Sequence, residues 1–185
     1  MNPVPAIRTE RLELVSFTPD VMRAILDGDR LGAGRLLGAT IVGGLDEELR
    51  EFFEVRLADV LADPAMRPWL ARAIILVTEP DERRAIGSVG FHGPPDGDGR
   101  AEIGYQVEPG SRSRGVATEA VRGLLDWAAT EHGVRRFRAS IAPDNVASLA
   151  LAARLGFTVV GRQVDPVDGD ELVLELDGWV AEPAT

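Results

Sequence analysis

The stretch from Ala101 to Ile141 admits few folds. A strand-length run, Ala101 to Val107, breaks into a turn bearing glycine and arginine, and apolar residues then recur at helical spacing: Ala117, Ala120, Val121, Leu124, Leu125 and Ala128. That spacing predicts a helix from Ala117 to about Thr130 with one face on a sheet, closed by Gly133 and followed by a strand from about Val134 to Ile141. A single helix between two strands returns the chain in its original direction, so the strands are expected to be parallel neighbours joined by a right-handed crossover.

The strand-to-helix junction is also an anion site in the making. Helix N-termini leave backbone N–H groups without intrahelical partners and carry partial positive charge, so Ser113 to Thr118 would aim several donors at a phosphate. Gly115 lets the backbone come close, Arg112 and Arg114 add charge, and the small residues Ala117 and Thr118 leave room in the first turn. No Lys follows Gly115, which excludes a P-loop, and Gly110 and Gly115 do not fit a dinucleotide-binding G-x-G-x-x-G. Further upstream, Gly32-Ala-Gly34-Arg-Leu-Leu-Gly38 mimics that fingerprint, but no strand precedes it and it reads as helix or loop punctuation.

What fits is R-x-x-G-x-A, met by Arg112, Gly115 and Ala117, together with a later run from Asn145 to Phe157 in which Asn145 and Ser148 open a helix that stops at Gly156-Phe157. Either Asp144 or Asn145 can cap that helix, and Gly156 supplies its left-handed stop. The pair of motifs, with one helix and one strand between them, resembles the GNAT superfamily of acetyl-CoA-dependent N-acetyltransferases. Ile86-Gly-Ser-Val-Gly-Phe-His92-Gly, Ala101-Glu-Ile-Gly-Tyr105 and Ile7-Arg-Thr-Glu-Arg-Leu-Glu-Leu14 extend the resemblance to its RimJ/RimL-like branch and across nearly the whole chain.

The resemblance implies an α/β (α+β) GNAT fold: a mixed central sheet of about six to seven strands flanked by helices, with a splayed parallel central pair. It implies acetyl-CoA as co-substrate, bound through Gln106, Val107, Arg112, Ser113, Arg114, Gly115, Val116, Ala117, Thr118 and Asn145. Direct attack of a primary amine on the thioester is the expected reaction, and a chain with no cysteine has no thiol for an acyl-enzyme. Alkyl ammonium groups have pKa values near ~10 and need a proton acceptor at neutral pH, and Glu102 is the candidate base because its place on the strand before the anion loop resembles the base of the superfamily's histone-type members. Many members place an acidic Tyr seven residues after the motif Asn, where this chain has Ala152; the resemblance to the Rim-type branch, which assigns a Ser at this position to the thiolate side, implies Ser148 as the candidate donor to the leaving thiolate. Tyr105, the only tyrosine, alternates away from Glu102 and reads as core. The missing tyrosine keeps a second reading open, a non-catalytic acyl-CoA-binding module.

The remaining residues bound the rest. At 185 residues and 45% hydrophobic the chain suits one domain spanning 1–185. It has no apolar run of about 18 residues and no basic apolar leader, so a cytoplasmic protein away from membranes is expected. A net charge of −10 disfavours nucleic acid and suits a cationic amine, as a small molecule or a protein N-terminus; a homodimer is allowed. No metal is expected: the two histidines, His92 and His132, lie far apart, and Asp96 and Asp98 are turn formers without further calcium ligands. Strands are expected at Arg11–Phe17, Ala73–Thr78 and Arg84–Phe91, with a final hairpin from about Thr158 to Leu176 turned at Asp168-Gly169. Helices are expected from Pro19 and from Asp46 to about Leu61. The poorly matched segment from Asp20 to Leu70, with the strand end near His92, should wall the acceptor site. Trp69 and Trp127 read as core or helix-packing residues.

Overall fold

The computed structural model describes residues 4–79, 82–167 and 169–181; the expected turn residues Pro80, Asp81 and Asp168 lie outside them. The chain opens with a short hairpin of β1 (Ile7–Arg8) and β2 (Leu12–Ser16). The Thr18 hydroxyl accepts from the Val21 amide at 3.3 Å and starts α1 (Pro19–Leu26), with proline where an unpaired amide costs nothing. The glycine-rich segment that mimics a nucleotide loop is a helix, α2 (Arg30–Leu37). β3 (Thr40–Ile41) and α3 (Leu45–Ala62) complete the segment before the main sheet. Then come β4 (Arg72–Glu79), β5 (Glu82–Phe91), β6 (Arg100–Val107), α4 (Val116–His132), β7 (Arg136–Ile141), α5 (Val146–Leu155), β8 (Thr158–Asp165) and β9 (Gly169–Asp177).

These strands form one nine-stranded sheet in the order β1-β2-β4-β5-β6-β7-β9-β8, with β3 beside β5. The two beyond the expected six to seven are β1 and β3, each of two residues, too short for side-chain alternation to reveal them. Alternation along each strand divides the core. Leu12, Leu14, Ile74, Ile103 and Phe137 face α4 and α5, whereas Ala73, Ile75 and Ala85 face α1 to α3 with Phe17 and Phe53.

β6 and β7 are the parallel pair that the single-helix connection requires, and they pair only briefly. Their register runs Arg100 with Arg136, Ala101 with Phe137 and Glu102 with Arg138, and there it stops. Past Glu102, β6 keeps only β5, and past Arg138, β7 keeps only β9. The two strands therefore part at Glu102. Glu108 N–H donates to Ile86 O and His92 N–H donates to Glu102 O, both at the same register, so even-numbered residues of β6 spend their backbone groups on β5. The backbone groups of Tyr105 and Val107 consequently face the gap.

Candidate active site

The loop that leaves β6 is held from three sides. Glu108 accepts from the Ser111 hydroxyl at 2.6 Å and the Gly110 amide at 2.9 Å, bonds that hold its carboxyl below the usual range and tighten a short 3-10 turn at Pro109–Ser111. Arg112 donates from Nε to the Val107 carbonyl at 2.7 Å, folding its side chain back into the gap. Ser113 has φ 61°, the one positive value at a non-glycine among the described residues, and Gly115 has φ 77°. This left-handed pair turns the backbone so that α4 begins at Val116 with its free amides facing the end of β6.

The outer side of the loop is tied to the first hairpin. Glu119, in the first turn of α4, accepts from the Thr9 hydroxyl at 2.6 Å, the Arg11 amide at 2.8 Å and Arg11 Nε at 2.8 Å. Burial alone would raise this carboxyl, but those bonds outweigh it and leave its pKa depressed. Both terminal nitrogens of Arg11 also reach the Arg114 carbonyl at 3.2 Å.

Between the β6 end, this loop and the start of α5 lies a cleft of about 620 Å³. It gathers nine of the ten residues expected to hold the co-substrate: Gln106, Val107, Arg112, Ser113, Gly115, Val116, Ala117, Thr118 and Asn145. Arg114 is absent from the lining, and its exposed residue instead gives its carbonyl to Arg11. Asn145 is the residue that caps α5, its side chain accepting from the Ser148 amide at 3.1 Å. Gln106 lines the cleft although its backbone faces β5, so the open backbone donors along the gap belong to Tyr105 and Val107.

A second cleft, about 200 Å³, opens against α3. Leu49 and Phe52 come from α3, His92 from the end of β5, and Ser88, Gly90 and Gly104 from the strands beneath. The poorly matched helical segment and the strand end near His92 do meet there, as expected. No acidic residue lines it among the described side chains, and those of Glu48 and Glu51 on α3 lie outside that description.

The two clefts share Tyr105 and Gln106. Tyr105 packs against the core, but its Oη is buried without a hydrogen bond of ordinary geometry, at the junction. Burial pushes the phenol up, while the nearby Ser148 hydroxyl pulls it part of the way back. Sequence alternation assigned Tyr105 to the core, and it does pack there, but its buried hydroxyl lies where the two clefts meet. Ser148 lines the first cleft, half-buried. Glu102 lines neither cleft, and sits at the crotch of the splay accepting from Ser140 Oγ at 2.6 Å, on the strand face it shares with Gly104. Gln163 in turn donates to Ser140 at 3.1 Å and to Glu171 at 2.9 Å, a network no sequence motif announced.

The family model described as "Acetyltransferase (GNAT) domain" matches residues 12–158. The chain belongs to the GNAT acetyltransferase family. Among named relatives of this GNAT chain, the uncharacterized N-acetyltransferase p20 of Bacillus licheniformis is 33% identical over 105 residues, covering 57% of this chain and 58% of its own. The chain spans about half the length of the first curated relatives it matches. In fold, it matches a putative ribosomal-protein-serine acetyltransferase from Vibrio cholerae at TM-score 0.61 and 22% identity, over 96% of this chain and 100% of the other. A ribosomal-protein-S5-alanine acetyltransferase from Vibrio fischeri matches at TM-score 0.62 and 16% identity, over 97% and 100%. GNAT neighbours of the RimJ/RimL-like kind thus share its architecture.

Proposed function

We propose that this GNAT domain, occupying residues 1–185 as one unit, is an acetyl-CoA-dependent N-acetyltransferase acting on a primary amine in the cytoplasm. The observation that carries the proposal is the meeting of two clefts at Tyr105 and Gln106, one floored by helix-start amides and the other apolar and small. Acetyl-CoA supplies the activated acyl group. The amides of Ser113 to Thr118 bind its pyrophosphate, with Arg112 beside them, and the gap-facing backbone of Tyr105 and the Val107 N–H hold its arm as an added strand. The Val107 N–H polarises the thioester carbonyl as the amine adds to it. Arg114 contributes charge only at long range.

Within that frame Glu102 receives the amine proton through water, and Ser140 fixes the carboxylate rotamer by its hydrogen bond. Carbon–sulfur cleavage then leaves a thiolate, which takes its proton from Ser148. Tyr105 stands against Ser148 as the group that keeps this hydroxyl supplied, and its raised pKa holds the phenol protonated across neutral pH. Thus a tyrosine is present at the sulfur end although its usual position is Ala152.

An acceptor cleft of about 200 Å³ favours a small residue next to the amine, such as an N-terminal Ser or Ala, the residues named for the two fold neighbours. Thiol release from acetyl-CoA, measured with Ser- and Ala-starting peptides, Lys-starting peptides and small amines, tests the reading. Amine-dependent release with preference for the small N-termini supports it. Binding of acetyl-CoA without release for any amine would favour the acyl-CoA-binding module.

A further inference from the structure

Gln163 of β8 and Ser140 of β7 meet although β9 runs between their strands. Gln163 is in register with Glu171 of β9, and β9 pairs on its other side with β7, so the Gln163 amide works across two strand spacings, ~10 Å, to reach Ser140. Alternation puts Glu102, Ser140, Glu171 and Gln163 on one face of the sheet, the face away from α4 and α5.

The chemistry of these four groups leaves one direction of donation. A carboxylate only accepts, so the group 2.9 Å from Glu171 is the Gln163 NH2 and not its carbonyl. That same nitrogen lies 3.1 Å from Ser140 Oγ and can only donate, so the hydroxyl accepts there and its single hydrogen is left for Glu102, 2.6 Å away. Arg138 stands opposite Glu102 in register but gives its guanidinium to Glu175 at 2.8 Å. Orientation of Glu102 therefore falls to Ser140, whose hydroxyl, without a donor from Gln163, is free to turn its hydrogen elsewhere.

We propose that Gln163 is a positioning residue for acetyl transfer: anchored on Glu171, it fixes the direction of the Ser140 hydroxyl and so holds the Glu102 carboxylate in one orientation to accept the amine proton. The proposal rests on the reading of Glu102 as the base. It makes the register of the final hairpin part of the site, because a slip of one residue would turn Gln163 to the other face of the sheet. Length matters as much as chemistry: asparagine, one methylene shorter, cannot span β9 from the same register.

Gln163 is exposed, so its replacement spares the core. Gln163→Leu and Gln163→Asn should each lower kcat about three- to tenfold, the range for one neutral hydrogen bond, and no more than Ser140→Ala, with KM for acetyl-CoA and Tm little changed. Added to Glu102→Gln, Gln163→Leu should lower kcat no further, since it acts through the carboxylate already removed. In the free protein, Ser140→Ala should move the Gln163 side-chain N–H signals in 1H–15N spectra. Full kcat in Gln163→Leu, an equal loss with and without Glu102, or Gln163 signals indifferent to Ser140→Ala would overturn the proposal. Full kcat in Glu102→Gln alone would instead unseat the base, and this role with it, so the two failures are told apart.

Discussion

Ser140 donates its hydroxyl hydrogen to Glu102 across 2.6 Å, at the last rung before β6 and β7 separate. Glu102 and Ser140 come from strands that a 17-residue helix keeps apart in sequence, and the short parallel register alone brings them together. The carboxylate is thereby held in one orientation.

Glu102→Gln should lower kcat by roughly a hundredfold to ten-thousandfold near neutral pH, the range for loss of a general base. Activity should recover partly as pH rises toward the ammonium pKa near ~10, where the amine loses its proton unaided. Ser140→Ala should cost far less, because it frees the carboxylate without removing it. A pH–rate profile of Glu102→Gln parallel to that of the unchanged protein would leave deprotonation to solvent.

Tyr105→Phe separates chemistry from stability. The phenol hydroxyl is buried without an ordinary hydrogen bond, so its removal should leave Tm unchanged or slightly raised, since an unsatisfied buried polar group costs about 1–3 kcal/mol. Turnover should nevertheless fall, and adding Ser148→Ala should lower it little beyond Ser148→Ala alone, because the two hydroxyls form one relay. Full kcat in Tyr105→Phe would remove Tyr105 from the sulfur end.

Gly115→Val tests the anion loop. At φ 77° a β-branched residue carries strain of about 1–3 kcal/mol, and its Cβ would stand 3.5 Å from Arg11 Nη2. The first amides of α4 should tilt away and CoA binding by calorimetry should be lost, with Tm lowered by only a few degrees. Unchanged CoA affinity would place the pyrophosphate elsewhere.

Glu119 ties the loop to the first hairpin, and its depressed pKa sets the sign of a pH effect. A carboxyl whose folded pKa lies below its unfolded value of ~4.3 adds stability above that value, and the gain disappears as pH falls through the folded pKa. Solvent screening of the half-exposed Arg11 limits this to about 1–2 kcal/mol. Glu119→Gln should therefore be less stable at pH 7 and lose less on acidification below pH ~4. Equal pH dependence of Tm in both proteins would show that the contact adds nothing.

Periodicity and local chemistry carried the elements in this chain: the apolar spacing of α4, the Thr18-Pro19 start of α1, the Asp144-Asn145 start of α5 and its glycine stop, the alternation of β2 and the apolar runs of β4 and β5 all act within a few residues and are legible as letters. The helix-start donors of Ser113 to Thr118 were legible for the same reason. The two-residue β1 and β3, the length of the β6–β7 register and the place of the buried Tyr105 hydroxyl where two clefts meet were not. Each depends on which distant segment lies alongside, as Arg114 shows by giving its carbonyl to Arg11, 103 residues earlier in the sequence. Alternation states which side of a strand a residue faces, but only the packed sheet decides whether that side is covered: β6 is strand-like throughout, and its last five residues have an open edge because β7 turns away at Arg138.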